Sequence, residues 1–173
     1  MVDRIFTMTR AAREAILTAS GQGLSLNLTH LAIGSGRYAP TDAQAALATE
    51  RLRLPIGESQ KDAAALQLNL ASAFRGPPEF YVSEIGVFAG PMLVFVWSDP
   101  ALDAWITFLK SDVDFLLNVA IATPDLPAGA VTITDAGQAL GLNLTPLRNL
   151  TAALAAEVAR LGVRDAQRLL KGQ

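Results

Sequence analysis

The chain has 173 residues, a formal net charge of −2, no cysteine and one histidine. That length suits one domain able to bury its own core, and the missing cysteines exclude a disulfide framework, thiolate metal ligands and a cysteine nucleophile. With no run of Lys or Arg to displace phosphate counterions, the composition also argues against a nucleic-acid binder.

Residues 1–15 lack the uninterrupted apolar stretch of a secretory leader. Residues 9–20 (TRAAREAILTAS) predict a short helix capped by Thr9, with Ala12, Ile16 and Ala19 on one face and Gly21 and Gly23 at its end. Residues 25–36 (SLNLTHLAIGSG) alternate as a strand and close on a Gly34-Ser35-Gly36 turn. Residues 43–49 predict a short helical run, and residues 51–54 alternate again into Pro55. Residues 64–74 carry the clearest strand pattern, with Leu66, Leu68 and Leu70 on one face. Arg75-Gly76-Pro77-Pro78 is a turn. Residues 80–88 and 92–97 predict a hairpin through Ala89-Gly90-Pro91. Residues 112–122 and 130–134 predict two further strands.

The longest apolar region, residues 80–97, holds Glu84 and a Gly90-Pro91 break. A membrane-spanning helix of roughly 20 apolar residues avoids both, so no membrane insertion is expected. Past Asp135, strand patterning gives way to helix formers. Leu147, Leu150, Leu154, Val158 and Leu161 recur at threes and fours, with Pro146 in the first turn. Leu147, Leu154 and Leu161 fit one heptad position, while the other runs from Leu150 to Glu157, short of the three to four clean heptads (roughly) that a coiled coil wants. The expectation is an α+β fold: a β-rich body with a short N-terminal helix (residues 1–138), then a helical segment for oligomerisation or docking (residues 139–173). Hydrophobic residues make up 51% of the chain, which suggests that part of the surface is covered by other chains.

Few residues invite chemistry. Gly34-Ser35-Gly36-Arg37-Tyr38-Ala39 matches G-x-G-x-x-A, but Pro40 separates it from any helix that could face a pyrophosphate, so it reads as a turn. His30 could serve as a general base, yet it sits mid-strand without a second histidine or a nucleophile elbow. Asp112 and Asp114 share a strand face in this reading, two carboxylates against the roughly six to eight oxygens that calcium takes. Glu84 interrupts an apolar strand, and a buried carboxylate needs a partner. Arg51 or Arg53 across the sheet would provide one. A carbohydrate-binding module needs exposed aromatics, and Trp97, Trp105 and Tyr38 are scattered. No enzyme, cofactor or metal is expected.

Taken in order, the chain resembles the N-terminal domain of bacteriophage tail fibres, the tail-collar fibre family. Residues 28–36, LTHLAIGSG, are similar to its "LTHxAIGDG". Leu47-x-x-Glu50 followed by Arg53-x-Pro55-Ile56 resembles "L-x-x-E…R-x-P-I", and Ser83-Glu84-Ile85-Gly86-Val87-Phe88 resembles "REIGLYD". Ser35 stands where the family usually has Asp, Ser83 where it has Arg, and Ala89-Gly90-Pro91 replaces its Asp-x-x-Gly turn. Gly34, Gly36, Glu84 and Gly86 are then structural signature residues rather than an active site, the glycines serving tight reversal of the chain. The resemblance implies a virion tail or baseplate protein, assembled in the host cytoplasm. It also implies a homotrimer in contact with baseplate proteins and, where there is one, a separate distal fibre chain. The rivals are an assembly factor that leaves the particle and a small enzyme using His30 or Glu84.

Overall fold

The computed structural model describes residues 5–62, 66–123, 126 and 129–136. Strands hold 49% of these residues and a single helix 10%. The α+β expectation is therefore corrected: the described body is a β-rich, mainly antiparallel protein with one helix. The residues expected to form the oligomerising helix, Leu147, Leu150, Leu154, Val158 and Leu161, lie outside the described residues, as does the whole of 139–173.

In chain order the elements are β1 (Thr7–Met8), α1 (Arg10–Gly21), β2 (Leu26–Leu28), β3 (His30–Gly34), β4 (Glu50–Pro55) and β5 (Glu58–Asp62). There follow β6 (Gln67–Arg75), β7 (Phe80–Val82), β8 (Glu84–Ala89), β9 (Met92–Ser98), β10 (Thr107–Leu109), β11 (Asp114–Ala122) and β12 (Val131–Ile133). A five-stranded sheet runs β1-β9-β8-β3-β4 and a three-stranded sheet runs β11-β6-β5. Two ribbons complete the body, β10-β7 antiparallel and β12-β2 parallel.

The main core follows from period-two alternation. In β6, Leu68, Leu70, Ser72 and Phe74 point inward, and β11 answers with Ile121, Val119 and Leu117 directly opposite the first three. From the five-stranded sheet, Leu31, Ile33, Ile85 and Val87 join this core. The chain passes from one sheet to the other at Pro55-Ile56-Gly57. Ile56 is fully buried there, and the Ser72 hydroxyl donates to the Pro55 carbonyl at 2.9 Å. Helix α1 is anchored by Thr9, whose hydroxyl donates to the Leu93 carbonyl (2.7 Å) and accepts from the Ala12 N–H (3.2 Å). One residue therefore caps the helix and ties it to β9.

The other face of the five-stranded sheet positions the site. Alternation puts His30, Ala32 and Gly34 of β3 on that face, opposite Phe88, Gly86 and Glu84 of β8. A smaller apolar cluster of Ala32, Leu47, Phe88, Leu93 and Val96 covers it, with Tyr38 packed alongside. Leu47 and Tyr38 come from residues 35–49, an irregular segment lying across the back of the sheet.

Several local expectations need correction. Residues 43–49 form no helix, because the Ala48 and Thr49 amides are bonded to a side chain from β8. The expected 80–88 strand is broken at Ser83, whose N–H turns to the Gly34 carbonyl at 2.9 Å, leaving β7 to pair with β10 and β8 with β3 and β9. Leu66 does not extend the inward row of β6. It has a positive φ of 49° and is exposed.

Candidate functional site

Glu84 begins β8, is fully buried, and carries the most heavily bonded side chain in the described body. Its Oε1 accepts hydrogen bonds from the backbone N–H of Gly36 (2.9 Å) and of Thr49 (2.7 Å). Its Oε2 accepts from the Tyr38 hydroxyl (2.8 Å) and the Ala48 N–H (3.0 Å). Two donors on each oxygen match the roughly four lone-pair sites of an acceptor-only carboxylate. Three of the donors are main-chain amides outside any strand or helix, so Glu84 satisfies backbone groups that no ladder pairs.

The signature glycines follow from this contact. A Cβ on Gly34 would lie well inside contact distance of both Glu84 Oε1 and the Thr49 carbonyl. A Cβ on Gly36 would sit 2.8 Å from the Glu84 carboxyl carbon and both of its oxygens. Neither glycine has the positive φ that only glycine tolerates readily. Tight chain reversal is therefore corrected as their reason: they leave room for the carboxylate. Gly86 makes room differently, since a Cβ there would meet Phe88 at 2.8 Å and Leu47 and Leu93 at 3.1 Å.

The arginine partner expected for Glu84 is also corrected. β3 lies between β4 and β8, so β4 side chains have other neighbours. Arg53 grips Glu50 through Nε–Oε1 (2.9 Å) and Nη2–Oε2 (2.6 Å), and its guanidinium lies 3.5 Å from the Phe88 ring centroid. Arg51 Nε donates to the Ser35 hydroxyl at 3.2 Å, and Arg37 Nε to the Ser83 hydroxyl at 3.4 Å. Both serines that depart from the tail-fibre pattern thus accept from an arginine.

The other candidates separate in space. His30 and Glu84 flank opposite ends of the β3–β8 ladder, four residues apart or about 13 Å at ~3.3 Å per residue. The His30 Nδ1 is 2.7 Å from the Thr29 hydroxyl. Asp112 and Asp114 do not share a strand face: Asp112 sits in a turn at φ 68°, and Asp114 opens β11 and pairs with Arg75 at 3.0 Å. Among the described residues no three His, Asp or Glu side chains gather as metal ligands. The Gly34–Ala39 match to a dinucleotide fingerprint opens no helix, and its Gly36 amide is already engaged by Glu84. No helix among the described residues is long and apolar enough to cross a membrane.

Glu84 offers a substrate neither solvent access nor a free lone pair. What the arrangement does is clamp residues 35–49 onto the sheet. Sequence reading picked out Glu84 and the glycines but missed Tyr38, Ala48 and Thr49 as partners. Amide donors carry no side-chain signal, and Tyr38 lies 46 residues from the group it serves. Sequence reading also missed an exposed aromatic group formed by Tyr81, Trp105 and Phe108. No family model, curated protein or solved structure matches the chain.

Two outcomes follow from the clamp. Glu84→Gln places an NH₂ donor against N–H donors and lowers unfolding free energy in urea by about 1.5–3 kcal/mol, the range for hydrogen bonds to charged groups. Gly34→Ala is at least as damaging, whereas Gly21→Ala, with open space around its Cβ, changes stability by less than about 1 kcal/mol. A Gly34→Ala protein of native stability would refute the packing argument. The second outcome concerns pH. Burial first, then the hydrogen bond and charge of Glu84, push the Tyr38 hydroxyl up from 10.0 to about 12. The folded protein holds that proton more tightly than the unfolded chain. Its contribution is therefore complete below pH 10 and lost as pH rises from 10.0 toward about 12. Thermal melts across that window show a decline that Tyr38→Phe reduces.

Proposed function

We propose that the chain is a virion structural protein, a short tail-fibre or fibre-network subunit that attaches to the baseplate of a phage tail or phage-derived particle. One observation carries this reading. The segments that resemble the tail-fibre N-terminal domain are spread over sixty residues of sequence, yet they form one physical unit. LTHLAIGSG supplies β3 and the Gly36 amide, and the segment from Leu47 to Ile56 supplies the Ala48 and Thr49 amides, β4 and the passage to the second sheet. Residues 83–88 supply Glu84 and β8. A scattered resemblance would leave such blocks unconnected, whereas here each supplies a part of the same clamp.

In this reading the protein works by adhesion through buried apolar area. It assembles in the host cytoplasm, resides in the tail, and associates as a homotrimer through its C-terminal leucine positions. Its partners are baseplate proteins and, where there is one, a distal fibre chain. Mass spectrometry of purified tails from the encoding phage or lysogen tests the proposal. The chain should co-purify in constant ratio to baseplate proteins. Its absence from particles, with the protein present in the lysate, would overturn the reading in favour of an assembly factor.

A further inference from the structure

The chain has seven Phe, two Tyr and two Trp, all among the described residues. Only Tyr81, Trp105 and Phe108 are exposed, at 48%, 48% and 38%, and these three touch. The Tyr81 ring centroid is 5.4 Å from that of Trp105 and 4.8 Å from that of Phe108, with interplanar tilts of 59° and 58°. Tyr81 and Phe108 are direct cross-strand partners in the β7–β10 ribbon. Their neighbours Phe80, Val82 and Leu109 are buried, which fixes the ribbon to the core. Trp105 is set beside them by the Ile106 N–H, which donates to the Val82 carbonyl at 2.7 Å. The group is therefore preorganised rather than a set of loose side chains.

Its size and polarity narrow what it can hold. At about 150–250 Å² per aromatic side chain, the exposed fractions amount to roughly 300 Å². A stable protein–protein interface needs about 800 Å² per partner, so the patch is too small to hold a second copy by itself. Neither the Tyr81 hydroxyl nor the Trp105 indole N–H has a hydrogen-bond partner among the described residues. Two polar handles thus rise beside apolar ring faces. The complementary ligand is small and has an apolar face edged by hydrogen-bonding groups.

We propose that Tyr81, Trp105 and Phe108 form a saccharide-binding platform, on which the C–H face of a pyranose stacks while its hydroxyls meet Tyr81 Oη and Trp105 Nε1. None of the three side chains bonds to Glu84, and the proposal does not depend on the tail-protein reading. The test is a titration of the whole ¹⁵N-labelled protein with cellohexaose, maltohexaose and chitohexaose, each followed at the two indole N–H signals. At least one glycan should shift the Trp105 signal, leave that of Trp97 in place, and bind with Kd near ~1 mM or tighter. Tyr81→Ala, read at the same indole, and Trp105→Ala, read by calorimetry, should each raise that Kd at least about tenfold while the rest of the amide spectrum keeps its dispersion. No Trp105 shift with any of the three up to about 10 mM would overturn the proposal. So would an unchanged Kd in Tyr81→Ala, a response to a proline-rich peptide in place of every glycan, or a Trp105 shift that tracks protein concentration alone and so marks contact between copies.

Discussion

A carboxylate removed from water without a countercharge is unfavourable by several kcal/mol unless other donors replace the lost hydration. In this protein the replacement is mostly main chain. Gly36, Ala48 and Thr49 turn their amides toward Glu84, and Tyr38 completes the set. The exchange is mutual, because those amides belong to an irregular segment and no ladder pairs them. The covering of the sheet's back face depends on this contact. If it is lost, residues 35–49 keep the Leu47 packing and peripheral ties such as the Arg10 N–H to the Asp42 carbonyl (2.7 Å) and the Tyr38 N–H to the Ser98 hydroxyl (3.2 Å), but lose the contact that gathers Gly36, Ala48 and Thr49 at one point.

The clamp gives the tail-fibre resemblance a physical meaning. Gly34 and Gly36 are glycines because the carboxylate occupies the space a Cβ would take, and Gly86 is one because Leu47 and Leu93 close over it. Glu84 is acidic because its surroundings present donors alone. Such a pattern specifies a fold more directly than it specifies chemistry, which fits a protein whose proposed task is to hold and be held. The aromatic group on the β7–β10 ribbon is a different kind of feature. It makes no hydrogen bond to Glu84 and leaves apolar surface in water, the observation on which the proposed saccharide platform rests.

Local signals carried much of the fold. Thr9 is the helix cap that its position before an apolar run implied, the alternation in β6 and β11 marks their buried faces, and Gly90-Pro91 turns the β8–β9 hairpin. What could not be read was contact between distant residues. Helix formers at 43–49 do not make a helix, since their amides bond to a residue 35 or 36 positions away. The parallel pairing of β12 with β2 joins segments more than a hundred residues apart, and nothing in either strand names the other. Tyr81 and Phe108 look like ordinary strand residues until register sets them side by side. The α+β expectation gives way to a β-rich body in which α1 is the one helix among the described residues, while the segment expected to supply the second helix lies outside them.

Hydrogen exchange at three amides tests the central claim most directly. Gly36, Ala48 and Thr49 lie outside every strand and helix, and in the absence of the clamp they would exchange within the time of ordinary surface loops. The account predicts protection approaching that of the β3 and β8 core amides, lost at all three together in Glu84→Gln while α1 keeps its protection. Fast exchange at these amides in the unmodified protein would contradict it.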